Sequence, residues 1–233
     1  MAHAMVGVGL QWFYYHEFHH VWAGHLRFMK LRRNNSNEFL GFSETEDEFE
    51  KSLGVSTLTV QNRSVEDRWI FRLIEYDADK RASRRMIDAL INDRVMLNAV
   101  KLNETEKSCL FGCWALMLGY LFILLNPRPN NDVKAFDRLY PHPEVRFWGV
   151  FGAFEDQLSS DQVDLYRDEI RKTHQLLRRL WNAAGMKGDC YSNSRSHINE
   201  VIGEVNRLST ALNQELYPIL LQHDTDQLLE LRN

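Results

Sequence analysis

Cysteine is scarce in this chain, with 3 in 233 residues, at Cys109, Cys113 and Cys190. They form neither a C-x-x-C pair nor a disulfide framework, so a reducing, cytoplasmic setting is expected. Proline is scarce as well: of the 5 present, all but Pro218 fall between Pro127 and Pro143. The flanking stretches lack the residue that breaks helices, so long helical runs are permitted there. No excess of positive charge exists either. The formal net charge is −4, which excludes the basic surface a general nucleic-acid binder needs. Basic clusters at Arg27 to Arg33 and Lys80 to Arg85 are interleaved with aliphatic residues at helical spacing, and read as solvated helix faces. A cleavable leader is not expected, because the first residues lack a charged segment and the apolar part is interrupted by glycines. There is no internal repeat. Long charge-free apolar runs are missing with one exception, Cys109 to Leu125 between Lys107 and Arg128. That run is at the short end of what crosses a bilayer, and it equally suits the fully buried helix of a helical protein. The expectation is a cytoplasmic protein, with membrane association as the alternative.

What is present reads as helix. Apolar residues make up 44% and charged ones 26%, ordinary globular values for a chain long enough to bury one good core or two small ones. The spacing predicts a mainly α fold with little β. A helix is expected near 8–32, followed by an acidic, polar stretch over 34–56 and a short strand at Leu58-Thr59-Val60. Ser64 and Asp67 resemble a capping box opening a helix that runs to about Val100. Further helices are expected over Glu104 to Leu125, after His142-Pro143, over Asp161 to Ala184, and from a cap at Ser192 or Ser194 to Leu216. The Pro-rich stretch 126–133 ends the helix over Glu104 to Leu125. Residues 1–150 are expected to form one domain, and 151–233 a C-terminal helical region packing on it.

The chemistry concentrates in Tyr15-His16-Glu17-Phe18-His19-His20, which contains H-E-x-x-H. On a helix His16 and His20 stand one above the other, as two imidazoles must to reach one ion. Glu17 lies beside them, suited to take a proton from a metal-bound water. Downstream, Trp69, Ile70, Leu73, Ile74, Ala78 and Ala82 keep a helical period, and Glu75 falls on the edge of that apolar stripe. A carboxylate there is costly to bury unless paired or bound to a metal. Three protein ligands, His16, His20 and Glu75, plus one water make the open tetrahedral site of catalytic Zn²⁺. Zinc would lower the pKa of that water from about 15.7 to about 7. Glu17 would then serve as general base, and later as general acid to the leaving amine.

These residues also carry a resemblance. H-E-x-x-H followed by Glu75-Tyr76-Asp77-Ala78-Asp79, an E-x-x-A-D pattern, resembles the zincin metallopeptidases whose third ligand is that glutamate. The first motif running into Ala23-Gly24-His25 resembles the Lit family of phage-exclusion proteases. Tyr140-Pro141-His142-Pro143-Glu144-Val145-Arg146 resembles the His-Pro element of that group, and of the wider HtpX and CAAX-protease families. The likeness spans roughly residues 10 to 150 in motif order. It implies a zincin-like helical metallopeptidase domain and a bacterial zinc endopeptidase acting on a protein substrate. A host protein is among the candidates, in phage exclusion. In such families the two-histidine helix follows a sizeable N-terminal region, whereas His16 lies near the start here. That region is expected to be reduced, part of a longer chain or replaced by an activating partner.

The remaining candidates carry paired expectations. His142 or Arg146 could donate to the oxyanion, or the segment is an X-Pro turn that opens a helix. Asp79 could accept from a ligating histidine, or pair with Arg81 or Arg84. His19 is expected to face solvent or support the ligands, and His25 to be a packing or cap residue. Trp12, Phe13, Tyr14, Tyr15, Phe18 and Trp22 read as core around the metal helix. His174, His197 and His223 read as structural. The alternative function is a helical interaction or regulatory module with a structural or vestigial zinc site. A membrane-embedded protease is a third reading, should Cys109 to Leu125 span a bilayer.

Overall fold

The computed structural model describes residues 2–26, 28, 65–91, 103–125, 140–152, 158, 160–183 and 190–222. Among them every regular element is helical, as the periodicity predicts. The order is α1 (Ala2–Trp22), α2 (Val65–Ile91), α3 (Glu104–Leu124), α4 (Pro143–Gly152), α5 (Ser160–Ala183) and α6 (Arg195–Ala211). A π-helical turn over Leu212–Leu216 then leads into 217–222. The expected strand, the acidic stretch, the Ser64 cap, residues 92–100 and His223 lie outside the described residues.

Local chemistry sets several of the ends. Asn103 opens α3 with a reciprocal capping box, its side chain accepting from the Glu106 N–H while the Glu106 carboxylate accepts from the Asn103 N–H. Ser194 caps α6 by accepting from the His197 N–H. Pro143 opens α4 at the one turn where a missing N–H costs nothing. The helix expected over 8–32 does not run unbroken. It ends at Trp22 in a turn at Ala23 and Gly24, with helical backbone resuming at His25. Gly24 has φ +76, in the left-handed region where a side chain would be strained. The π turn has a chemical cause too. Pro218 has no N–H and would crowd the carbonyl four residues back, and widening the preceding turn relieves that conflict.

Helix α3 is central and packs on α1, α4 and α5, while α1 also lies along α2, and α4 on α2 and α6. Phe111, Trp114, Leu118 and Phe122 of α3 are buried against Trp12, Phe147, Phe151, Tyr166 and Leu177. A second cluster joins Leu73 and Ile74 of α2 to Val145, Val201, Leu208 and Leu212. By length and composition α3 could cross a membrane, and half of its apolar window is buried within the molecule. Gly149 brings α4 close against α2, since a Cβ there would collide with the Tyr76 ring and hydroxyl. That close approach sets Arg146 over the α2 carboxylates.

One expectation about α1 is corrected. Only Trp12 of its six aromatics is fully buried, whereas Tyr14 is 64% and Trp22 72% exposed. A helix lying along one neighbour buries one face. Here that face is Gly9, Trp12, His16, His19 and His20, leaving Leu10, Tyr14, Phe18 and Val21 outward.

Candidate metal centre and a second buried cluster

The face of α1 that meets α2 carries the two histidines because Trp12 anchors it one turn earlier. The Trp12 indole N–H donates to Ser83 Oγ at 2.9 Å, and its ring centroid lies 5.0 Å from that of His16. Glu75 and Asp79, one turn apart on α2, are both buried and project toward those rings. His20 Nε2 lies 3.5 Å from Glu75 Oε1, and His16 Nε2 lies 3.6 Å from Glu75 Oε2. Ligand atoms of His16, His20 and Glu75 all lie within 4.8 Å of one another. The three residues expected as ligands are therefore brought together. Asp79 Oδ1 also stands 3.3 Å from His16 Nε2.

The hydrogens on the rings follow from the groups behind them. Asp77 accepts from the Tyr217 hydroxyl and from Arg81, both at 2.6 Å, so its carboxyl is held below its usual range against the opposing effect of burial. Asp77 Oδ2 lies 3.2 Å from His25 Nε2, which favours the hydrogen on that nitrogen. His25 Nδ1 then keeps a lone pair and accepts from His20 Nδ1 at 3.3 Å. What remains on His20 Nε2 is a lone pair aimed at the Glu75 carboxylate. His16 places Nδ1 3.2 Å from Glu17 Oε1 and holds a buried Nε2 that makes no hydrogen bond.

Lone pairs facing carboxylate oxygens repel unless something positive lies between them. A shared proton would draw the atoms to about 2.7–2.9 Å, the length of a charged hydrogen bond. Two ligands of one tetrahedral ion at about 2.0–2.1 Å would instead stand about 3.4 Å apart, close to the spacing seen. The surrounding carboxylates favour a positive charge on the imidazole side, whether a proton or a bound cation. Burial opposes a charge on His16, yet contacts with Asp79 and Glu17 and the charge of Glu75 outweigh it, pushing its pKa up to about 9. Burial drives the Glu75 carboxyl up to about 7, and burial with the neighbouring histidines drives His20 down to about 3. The donor set fits zinc.

The other candidates divide. Glu17 sits on the outer edge of His16 and is 62% exposed, so reaching the inner side of the ring requires an exposed side chain to change rotamer. Asp79 pairs with neither Arg81 nor Arg84. It accepts two hydrogen bonds from the buried Arg146, from Nε at 2.6 Å and NH2 at 2.7 Å. The Arg146 guanidinium lies 4.5 Å from the Phe122 ring centre and 5.6 Å from that of Tyr140. Tyr140 is half-buried, and burial together with the charge of Glu75 raises its phenol, which stays protonated. His19 is buried rather than solvent-facing. His25, expected as packing or cap, is buried behind His20 because the Gly24 turn folds it back.

His142 lies in a second cluster. Its Nδ1 caps α4 by accepting from the Glu144 N–H at 3.3 Å. Glu144, fully buried, accepts from His174 Nε2 at 2.9 Å, His197 Nε2 at 2.6 Å and the Tyr191 N–H at 2.6 Å. Burial opposes its charge, but the two imidazoles outweigh that and hold the carboxyl down at about 2. Glu144, Asp77, Tyr140 and Cys190 escaped the sequence reading. Glu144 looks like any acid in a first helical turn, and its partners lie 30, 47 and 53 positions away. Gly24-His25 was the one local signal available. Comparison with known proteins finds no matching family model, no matching curated protein and no matching solved structure.

Proposed function

We propose that this protein is a zinc-dependent endopeptidase that hydrolyses a peptide bond in a protein substrate, with Zn²⁺ held by His16, His20 and Glu75. One observation carries the reading: the Nε2 atoms of His20 and His16 face a single buried carboxylate at 3.5 and 3.6 Å, with no hydrogen bond from the buried His16 Nε2. Zinc bound there would polarise a peptide carbonyl and lower the pKa of its water to about 7. Glu17, on the outer edge of His16, is the residue that would hold the proton exchanged with that water and with the leaving amine. Tyr140, kept protonated, donates to the oxyanion in the role first expected of His142, whose ring caps α4. Asp79 with its Arg146 partner steadies His16. Motif resemblance extends the proposal to cutting a host protein in phage exclusion, and the three cysteines, which form no disulfide, support a cytoplasmic setting.

A second reading is a helical interaction module with a structural zinc. The engagement of Glu17 by His16 Nδ1 favours it. Glu17→Gln separates the two. The peptidase reading expects full zinc content and a loss of about 10²–10⁴-fold in cleavage, read by mass spectrometry of new protein termini in expressing cells. Equal zinc with identical termini in wild type and variant leaves only the module.

A further inference from the structure

We propose that the second cluster is a metal site in its own right, taking one zinc-class divalent cation on His142, Glu144 and Cys190. It rests on different residues from the first centre and does not depend on the peptidase reading. Ligand atoms of these three side chains lie within 4.8 Å of one another, and all three are buried. They bring together the N-terminus of α4 and the segment before α6, where the backbone is unusual. Tyr191 has φ 57 without being glycine, a conformation that costs energy unless its surroundings hold it. It turns the Tyr191 N–H onto Glu144 and leaves Cys190, the only buried cysteine of three, beside the same carboxylate.

The donor chemistry is that of zinc. Thiolate, imidazole and carboxylate together suit a borderline-soft ion and suit calcium or magnesium poorly. Glu144 is supported as ligating carboxylates are, with His174, His197 and the Tyr191 N–H fixing its orientation. Those three bonds use three of about four lone-pair positions, leaving one to coordinate. His142 is held in place by its Nδ1, which caps α4. The fourth position falls to a water, and burial makes the site structural, tying α4, α5 and α6 together.

Cobalt distinguishes the two centres, because only this one contains sulfur. The full chain loaded with Co²⁺ should show a thiolate-to-cobalt charge-transfer band in the near ultraviolet. The band should persist in His16→Ala, which disables the first centre, and in the Cys109→Ser/Cys113→Ser double variant, where Cys190 is the sole thiol. It should vanish in Cys190→Ser, with zinc content falling by one per chain. Should Cys190→Ser fail to fold, the double variant still decides. A folded double variant without the band, or a band that survives in Cys190→Ser, overturns the proposal. Loss of zinc from the first centre alone would instead count against the peptidase reading.

Discussion

The two histidine–carboxylate centres use the same residue types in opposite ways. Around Glu75 the imidazole nitrogens stand off at 3.5 and 3.6 Å. Around Glu144 they present hydrogens, and the contacts close to 2.9 and 2.6 Å. What lies behind each ring makes the difference. His20 is backed by His25 and Asp77, which fix its hydrogen on the far side. His174 and His197 turn their Nε2 hydrogens onto a carboxylate held at about 2, a charge they stabilise themselves. The first arrangement leaves the imidazole nitrogens standing off their carboxylate. The second makes a carboxylate the hub of three helices.

The comparison is tested most severely at its hubs. Glu144→Gln removes the charge that two buried imidazoles and one amide point at. It should cost about 3–5 kcal/mol in denaturant unfolding, while zinc at the first centre persists in the folded fraction. An unchanged midpoint would show that Glu144 is not the hub described. Asp79→Asn leaves Arg146 buried without its counter-charge, and a loss of about 3 kcal/mol is expected from the same measurement. Next in size, His25→Phe keeps the packing and removes the relay that orients His20. Zinc affinity, followed by competition with a chelator, should fall about 10–100-fold with stability near wild type. Unaltered affinity would mean that His25 only fills space. The smallest effect belongs to Gly24→Ala. A side chain at φ +76 should cost about 1–2 kcal/mol and shift zinc affinity in the same direction, because this turn carries His25.

The two-histidine helix and the helix that carries Glu75 could be read from spacing alone. His16 and His20 at i and i+4, and Glu75 on the edge of an apolar stripe, are periodic facts that a straight helix turns into geometry. Helix α3 and the Ser194 cap were readable for the same reason. The break at Trp22 was not anticipated, because an isolated glycine within an apolar period is tolerated in many helices. Nor could the fate of the α1 aromatics be foreseen. Period tells which residues share a face, whereas burial depends on which faces find neighbours.

By itself the sequence determined a helical protein with two imidazoles and a carboxylate able to share one ion, since those properties depend on short-range spacing and residue chemistry. Only the tertiary structure decided which groups back each ring, that Arg146 neutralises Asp79, and that Glu144 gathers His174, Tyr191 and His197. Each of these is a contact between residues far apart along the chain. Such contacts arise from how helices pack, and no local pattern of residues records them.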